Sequence, residues 1–147
     1  MILSRTWRWF PREMVMFKLL EHPADVRVSI SGSSLAELFL SASQALWALW
    51  EPVTGEETGK KKLLLEGENL EELLVRFLSE LIYLAQVRGL PQVEELKIEK
   101  ESSVYQLEAE IKITRGCPGR EIKAATYHGL KIVRKKGVYR CFLIFDV

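Results

Sequence analysis

Residues 69–89 read NLEELLVRFLSELIYLAQVRG, and this stretch predicts one wall of a hydrophobic core. Asn69 is expected to cap the first turn of a helix, with Glu72 at the reciprocal capping position. Gly89 and Pro91 are expected to end that helix. Between these ends the apolar residues recur at helical spacing and form one stripe, made of Leu70, Leu73, Leu74, Phe77, Leu78, Leu81 and Leu84.

An earlier segment shows the same periodicity. Ser34 and Glu37 have the spacing of a capping box, and Pro52 is expected to stop the helix that follows. A second amphipathic helix is therefore predicted over the apolar positions Leu35, Leu38, Phe39, Ala42, Leu46 and Leu49.

Most of the remaining chain alternates apolar and polar residues with period two, which predicts strands. The segments Leu96–Lys100 and Tyr105–Thr114 are expected to pair as an antiparallel hairpin, whereas residues 54–60, rich in glycine and charge, are expected to form a loop. Further strands are expected at residues 16–21, 26–30, 62–67, 121–126 and 131–134.

The last run, Val138–Phe145, is apolar on both faces. A strand of this kind belongs at the centre of a sheet that helices cover on one side. Two helices packed on a mostly antiparallel sheet give an α+β fold, a two-layer sandwich.

Composition limits the class of protein. The chain has 147 residues, is 48% hydrophobic and has a formal net charge of +1, so one compact domain is expected, with no overall charge that favours nucleic acid. Two cysteines are too few for a disulfide framework, which favours a reducing compartment, the cytoplasm. No apolar run approaches the length that spans a membrane.

Residues 1–15, MILSRTWRWFPREMV, differ from the rest. They are expected to be a poorly ordered N-terminal extension before a single domain over residues 16–147, or a product of an upstream start codon. Their alternating arginines and aromatic residues also suit stacking on single-stranded RNA bases, so direct RNA contact stays open.

Motifs for independent catalysis are missing from the sequence. It has no phosphate-binding glycine motif and no recognisable nucleophile motif. His22 and His128 are the two histidines, too few for a histidine-rich metal centre. A protein without enzymatic activity of its own is therefore expected.

Polar residues at strand ends are the remaining candidates. Asp25 follows a proline-containing break, and Asp146 precedes Val147, whose α-carboxylate ends the chain. If Asp25 approaches the chain end, the oxygens suit Ca²⁺ or Mg²⁺ rather than zinc. Alternatively, each aspartate is solvated or caps a nearby amide. Lys123 can be an ordinary exposed lysine, and residues 127–129 a bulge.

Together these residues resemble the archease family. Residues 21–26, EHPADV, are similar to its opening motif EHTADV, with Pro23 in place of the usual threonine. Residues 121–130, EIKAATYHGL, are similar to its signature EIKAVTYHGL, and residues 145–147, FDV, match its ending. The resemblance extends from Met16 to Val147 and includes the helix around residues 73–84.

The resemblance implies a protein cofactor of an RtcB-type tRNA-splicing RNA ligase, which promotes guanylylation of the ligase and multiple turnover. It further implies a divalent metal, Ca²⁺ first and Mg²⁺ or Mn²⁺ as alternatives, held by Asp25, Asp146 and Val147. Lys123 is implied as the functional lysine, and the matched motifs also include His22 and His128 as functional candidates. The alternative is a chaperone-like modulator of a tRNA-modifying methyltransferase. A metal-dependent hydrolase that acts alone is disfavoured, because the catalytic motifs are missing.

Overall fold

The computed structural model describes residues 15–19 and 25–147, with side chains from residue 25 onward. The expected extension, residues 1–15, therefore lies outside this part except for Val15, where the first strand begins. In chain order the elements are β1 (Val15–Leu19), β2 (Asp25–Gly32), α1 (Leu35–Trp50), β3 (Pro52–Gly67), α2 (Leu70–Val87), β4 (Leu90–Glu101), β5 (Val104–Pro118), β6 (Ala124–Thr126), β7 (Val133–Lys135) and β8 (Val138–Asp146).

The strands within residues 15–19 and 25–147 form two antiparallel sheets. The larger sheet has the order β1-β2-β8-β6, with β7 also paired to β8, and the smaller has the order β3-β5-β4. The last strand is central, as its two apolar faces predicted. A single sheet had been expected. Two form because β3 and β4 occupy both edges of β5, which leaves β8 to pair with β2, β6 and β7.

Both helices begin as the sequence predicted. The backbone N–H of Glu37 donates to Ser34 Oγ at 3.1 Å, and that of Glu72 donates to Asn69 Oδ1 at 2.9 Å. The first helix ends at Trp50, one residue past the last position of its apolar stripe, and Pro52 opens the next strand.

The loop predicted for residues 54–60 is wrong, because these residues belong to β3. Glycine and charge are compatible with a strand here, since β3 lies at an edge of its sheet and its register shifts twice between Thr54 and Gly59. The predicted hairpin of β4 and β5 is confirmed. The strands predicted at 121–126 and 131–134 are observed as shorter segments, β6 and β7.

One hydrophobic core joins the helices to the inner faces of both sheets. It includes Val28 and Phe145 from the larger sheet, Ile111 from the smaller, and Phe39 and Phe77 from the helices. The rings of Phe39 and Phe77 lie 6.0 Å apart between centroids. The α+β class, with two helices packed on antiparallel sheets, is confirmed. Within the described ranges no helix is long and apolar enough to cross a membrane.

Candidate functional site

The first residue of β2 and the last residue of β8 lie opposite each other. The antiparallel register pairs Asp25 with Asp146. Their neighbours Val26 and Phe145 are buried, so alternation along each strand directs both aspartates to the outer face of the larger sheet. Side chains opposite each other on one face have Cβ atoms about 5 Å apart. The pairing thus brings two carboxylates together that are 121 positions apart in sequence.

The longest matched motif, residues 121–130, includes β6, which pairs with the edge of β8 that does not face β2. Ala124 is the register partner of Asp146 in the β6–β8 pair. The backbone N–H of Lys123 donates to the carbonyl oxygen of Asp146 at 2.8 Å. Ile122, only 3% exposed, fixes the segment in the core, while the side chain of Lys123 is exposed. The backbone of Lys123 therefore lies at the same end of the sheet as the two aspartates.

One oxygen of the Asp25 carboxylate is unsatisfied by the part of the chain that the structure describes. Its Oδ1 is buried and has no hydrogen-bond partner among residues 25–147. A buried polar atom without a partner is costly, and a carboxylate more so than a neutral group. Asp146, in contrast, is exposed. The buried Oδ1 of Asp25 therefore favours a nearby cation or a hydrogen-bond donor as its partner.

Oxygen donors at this end suit a hard divalent cation. In the described ranges no cluster of three histidine, cysteine, aspartate or glutamate side chains could hold a metal. A third acidic ligand beside Asp25 and Asp146 would be the α-carboxylate of Val147. That residue is half-buried and packs on the core, which restricts the chain end. Like charges opposite each other destabilise a strand pair, and a bound cation would offset that repulsion.

His128 is not in register with this pair. His128 is exposed and follows β6, whose last residue, Thr126, pairs with Ile144 rather than with Asp146. Its backbone N–H donates to Thr126 Oγ1 at 3.2 Å, within a turn that Gly129 completes at a φ of 71°. His22 lies outside the described residues, so its predicted role stays a prediction.

Glu71 is a residue that the sequence reasoning missed. Its Oε2 accepts a hydrogen bond from the backbone N–H of Ile132 at 2.9 Å, which fixes the chain after the 121–130 motif to the start of α2. Burial, and secondarily the negative charge of Glu71, raises the pKa of the nearby Cys141 thiol to about 12. In the sequence Glu71 looked like any acidic residue in a first helical turn, so no local signal identified this contact.

We predict that Glu71→Ala loosens the segment around Ile132. The loss of a charge-assisted hydrogen bond should speed hydrogen exchange of the Ile132 amide roughly 10- to 100-fold, measured by NMR. Glu72→Ala is the matched control, because it removes the same charge from the same helical turn while its side chain is exposed. Equal exchange of Ile132 in both variants and the parent would contradict the role of Glu71.

Known proteins resemble the chain over nearly all of its length. The Archease protein family matches residues 17–147. An archease from Methanosarcina mazei is 31% identical over 93% of this chain and 99% of its own length. One from Pyrococcus abyssi is 36% identical over 76% of this chain and 84% of its own length.

A solved structure extends the similarity to the fold. The crystal structure of a Thermotoga maritima archease, described as a possible chaperone, has a TM-score of 0.67 and 29% sequence identity. The match covers 90% of this chain and 98% of that protein. The motifs, the fold and the relatives agree, and the chain belongs to the archease family.

Proposed function

We propose that this protein activates an RtcB-type tRNA-splicing RNA ligase in the cytoplasm, by promoting ligase guanylylation and multiple turnover. The observation that supports the proposal is the pairing of Asp25 with Asp146 beside Lys123. Carboxylates and an ammonium group at one site are suited to nucleotidyl transfer, in which placement of phosphate charge supplies most of the catalysis.

In the proposal a divalent metal, Ca²⁺ in the first place and Mg²⁺ or Mn²⁺ as alternatives, is held by Asp25, Asp146 and the α-carboxylate of Val147. The support is the buried Oδ1 of Asp25, which has no hydrogen-bond partner among the described residues, together with the hard-oxygen character of all three donors. When bound, such an ion supplies fixed positive charge beside a phosphate.

The chain's own residues would act by position. Asp25 and Asp146 project from paired strands, which hold their backbones more rigidly than a loop would. Lys123, exposed and tied through its backbone to Asp146, can offer its ammonium group to a phosphate of the ligase-bound nucleotide. No nucleophile from this chain is needed, which agrees with a cofactor role. The functional roles of His22 and His128 stay predictions.

The first experiment counts RNA joined per ligase when this protein is present in trace amounts with its organism's RtcB-type ligase, GTP and Mn²⁺. We expect joining well above one turnover. Asp25→Ala, Asp146→Ala and Lys123→Ala should each lose the stimulation, because each removes charge from the proposed site.

Matched controls come from the smaller sheet. Glu110→Ala and Lys97→Ala remove the same kinds of charge from exposed positions on β5 and β4, and both should stimulate like the parent. Circular dichroism of all five variants checks that the fold is intact. Full stimulation by the three site variants would refute the proposed site.

The α-carboxylate of Val147 has a test of its own. A short peptide tag after Val147 turns that carboxylate into an amide, whereas a tag before Met1 leaves it unchanged. We expect the C-terminal tag to reduce stimulation of the ligase by at least about tenfold, as the loss of a metal ligand would do. The same ligation assay measures both forms, and equal activity would remove Val147 from the site.

A second candidate function is a chaperone-like modulator of a tRNA-modifying methyltransferase. It is favoured by the Thermotoga maritima relative, which is described as a possible chaperone. Such a protein would act by binding its partner and keeping it soluble, without need of Asp146 or Lys123. Two results together would favour this function. The parent protein would leave the ligase unchanged, and its alanine variants would still protect a methyltransferase from aggregation.

A further inference from the structure

The outer face of the larger sheet presents an aromatic ring to solvent. Phe142 lies on β8, the central strand, and its side chain is 59% exposed. The guanidinium of Arg27, from the adjacent strand β2, lies 5.8 Å from the centroid of the Phe142 ring. The guanidinium lies over one face of this exposed ring, so a second ring would stack on the other face.

The charge around this ring is positive. Arg140 lies two residues before Phe142, exposed on the same face, and Ser29 is the register partner of Phe142. Lys135, the last residue of β7, and Lys136, in the turn that follows it, add two exposed positive charges beyond Arg140. The acidic residues on this face of β2 and β8 are Asp25 and Asp146, at the end of the sheet away from Arg140, and Asp25 lies two residues before Arg27.

The smaller sheet provides a contrast, because two of its lysines are paired with carboxylates. Lys62 Nζ lies 2.8 Å from Glu108 Oε1, and Lys60 Nζ lies 3.6 Å from Glu94 Oε1. The hydrogen bond from Lys62, and then its charge, lower the pKa of Glu108. Arg27 and Arg140 have no such carboxylate partner within the described ranges, so their charge remains available to an external anion.

We propose that Phe142, Arg27 and Arg140 form a binding surface for single-stranded RNA, with a base stacked on the Phe142 ring and phosphates bound by the two arginines. Sheets that bind single strands combine exposed aromatic rings with basic side chains in this way. The proposal does not rest on the proposed ligase function, since it concerns binding by this protein alone.

Two other occupants fit the surface less well. Residues 1–14 contain Arg5, Arg8 and Arg12 against a single acidic residue, Glu13, so their charge matches that of the surface instead of complementing it. A protein partner would favour an apolar surround, because the centres of protein interfaces are depleted in charge. Here a guanidinium and a serine lie beside the ring. A single-stranded RNA offers phosphates to the arginines and a base that can stack on the ring of Phe142.

The proposed RNA-binding surface lies on the same strand as part of the candidate functional site. Phe142 and Asp146 are four residues apart on one strand, about 13 Å at the usual rise of a β-strand. A strand of RNA held at Phe142 and running along β8 would reach the Asp25–Asp146 end within a few nucleotides. The surface would thus hold RNA next to the candidate functional site.

The test measures binding of a fluorescein-labelled oligouridylate of about ten nucleotides to the full-length protein, by fluorescence anisotropy at low salt. We expect Phe142→Ala to weaken binding roughly tenfold or more, and Phe142→Tyr, which keeps the ring, to bind like the parent. Leu64→Ala is the matched control, since Leu64 is a large apolar residue, 66% exposed, on the smaller sheet.

Charge is tested through the salt dependence of binding. Arg27→Gln and Arg140→Gln should each reduce the slope of log K against log salt by about one, the value for one lost phosphate contact. Lys97→Gln, which removes a positive charge from the smaller sheet, should leave the slope unchanged. Unchanged thermal unfolding of each variant shows that the fold is kept.

Three results would overturn the proposal. The first is no binding of the oligouridylate by the parent protein. The second is a deletion of residues 1–14 that abolishes binding while Phe142→Ala has no effect, which would assign the RNA to the N-terminal segment. The third is a Phe142→Ala variant that binds RNA normally but loses ligase stimulation, which would make this face a docking surface for protein.

Discussion

The pairing of β2 with β8 is the constraint on which the rest of the molecule depends. Eight consecutive register pairs join the strands, from Asp25 opposite Asp146 to Gly32 opposite Tyr139. Val28 and Leu143 are register partners, and their side chains are only 0% and 1% exposed. A slip of one residue would turn these side chains outward, so the hydrophobic core determines the register. The register in turn brings the two aspartates together.

Other parts of the candidate site follow from the same pairing. Because β8 is central, its second edge accepts β6, and this brings Lys123 to the end where Asp25 lies. Glu71 then ties the chain beyond the motif to α2 through Ile132. The sheet face that carries the aspartates also carries Phe142 and the arginines. Each of these features would be displaced if β8 paired differently.

Local chemistry explains which parts of the fold the sequence predicted. The starts of both helices depend on Ser34 and Asn69 and on apolar spacing within the helix, and all of this is visible in a short window. The strand over residues 54–60 was missed because an edge strand with few buried residues lacks that pattern. The division into two sheets depends on which distant strands pair, and alternation within one strand does not specify its partner.

The candidate site, like the fold, was predicted from the sequence only in part. Residue chemistry and resemblance predicted Asp25, Asp146 and Lys123 as site residues, and strand register places their backbones at one end of the larger sheet. Glu71 was missed, since its contact joins residues 61 positions apart. His128 belongs to the longest motif, yet the chain turns away from the carboxylate pair before reaching it. Motif membership thus indicates family, whereas strand register indicates which members meet.

A paramagnetic ion tests most directly whether the carboxylate pair and the chain end form one divalent-cation site. Substoichiometric Mn²⁺ is added to ¹⁵N-labelled protein, and the broadening of each backbone amide signal is recorded. The account predicts that the amides of Asp25, Lys123 and Asp146 broaden first, and that Asp25→Asn together with Asp146→Asn removes the effect. Broadening centred on the carboxylates of the smaller sheet, such as Glu94 or Glu108, or none at all, would contradict it.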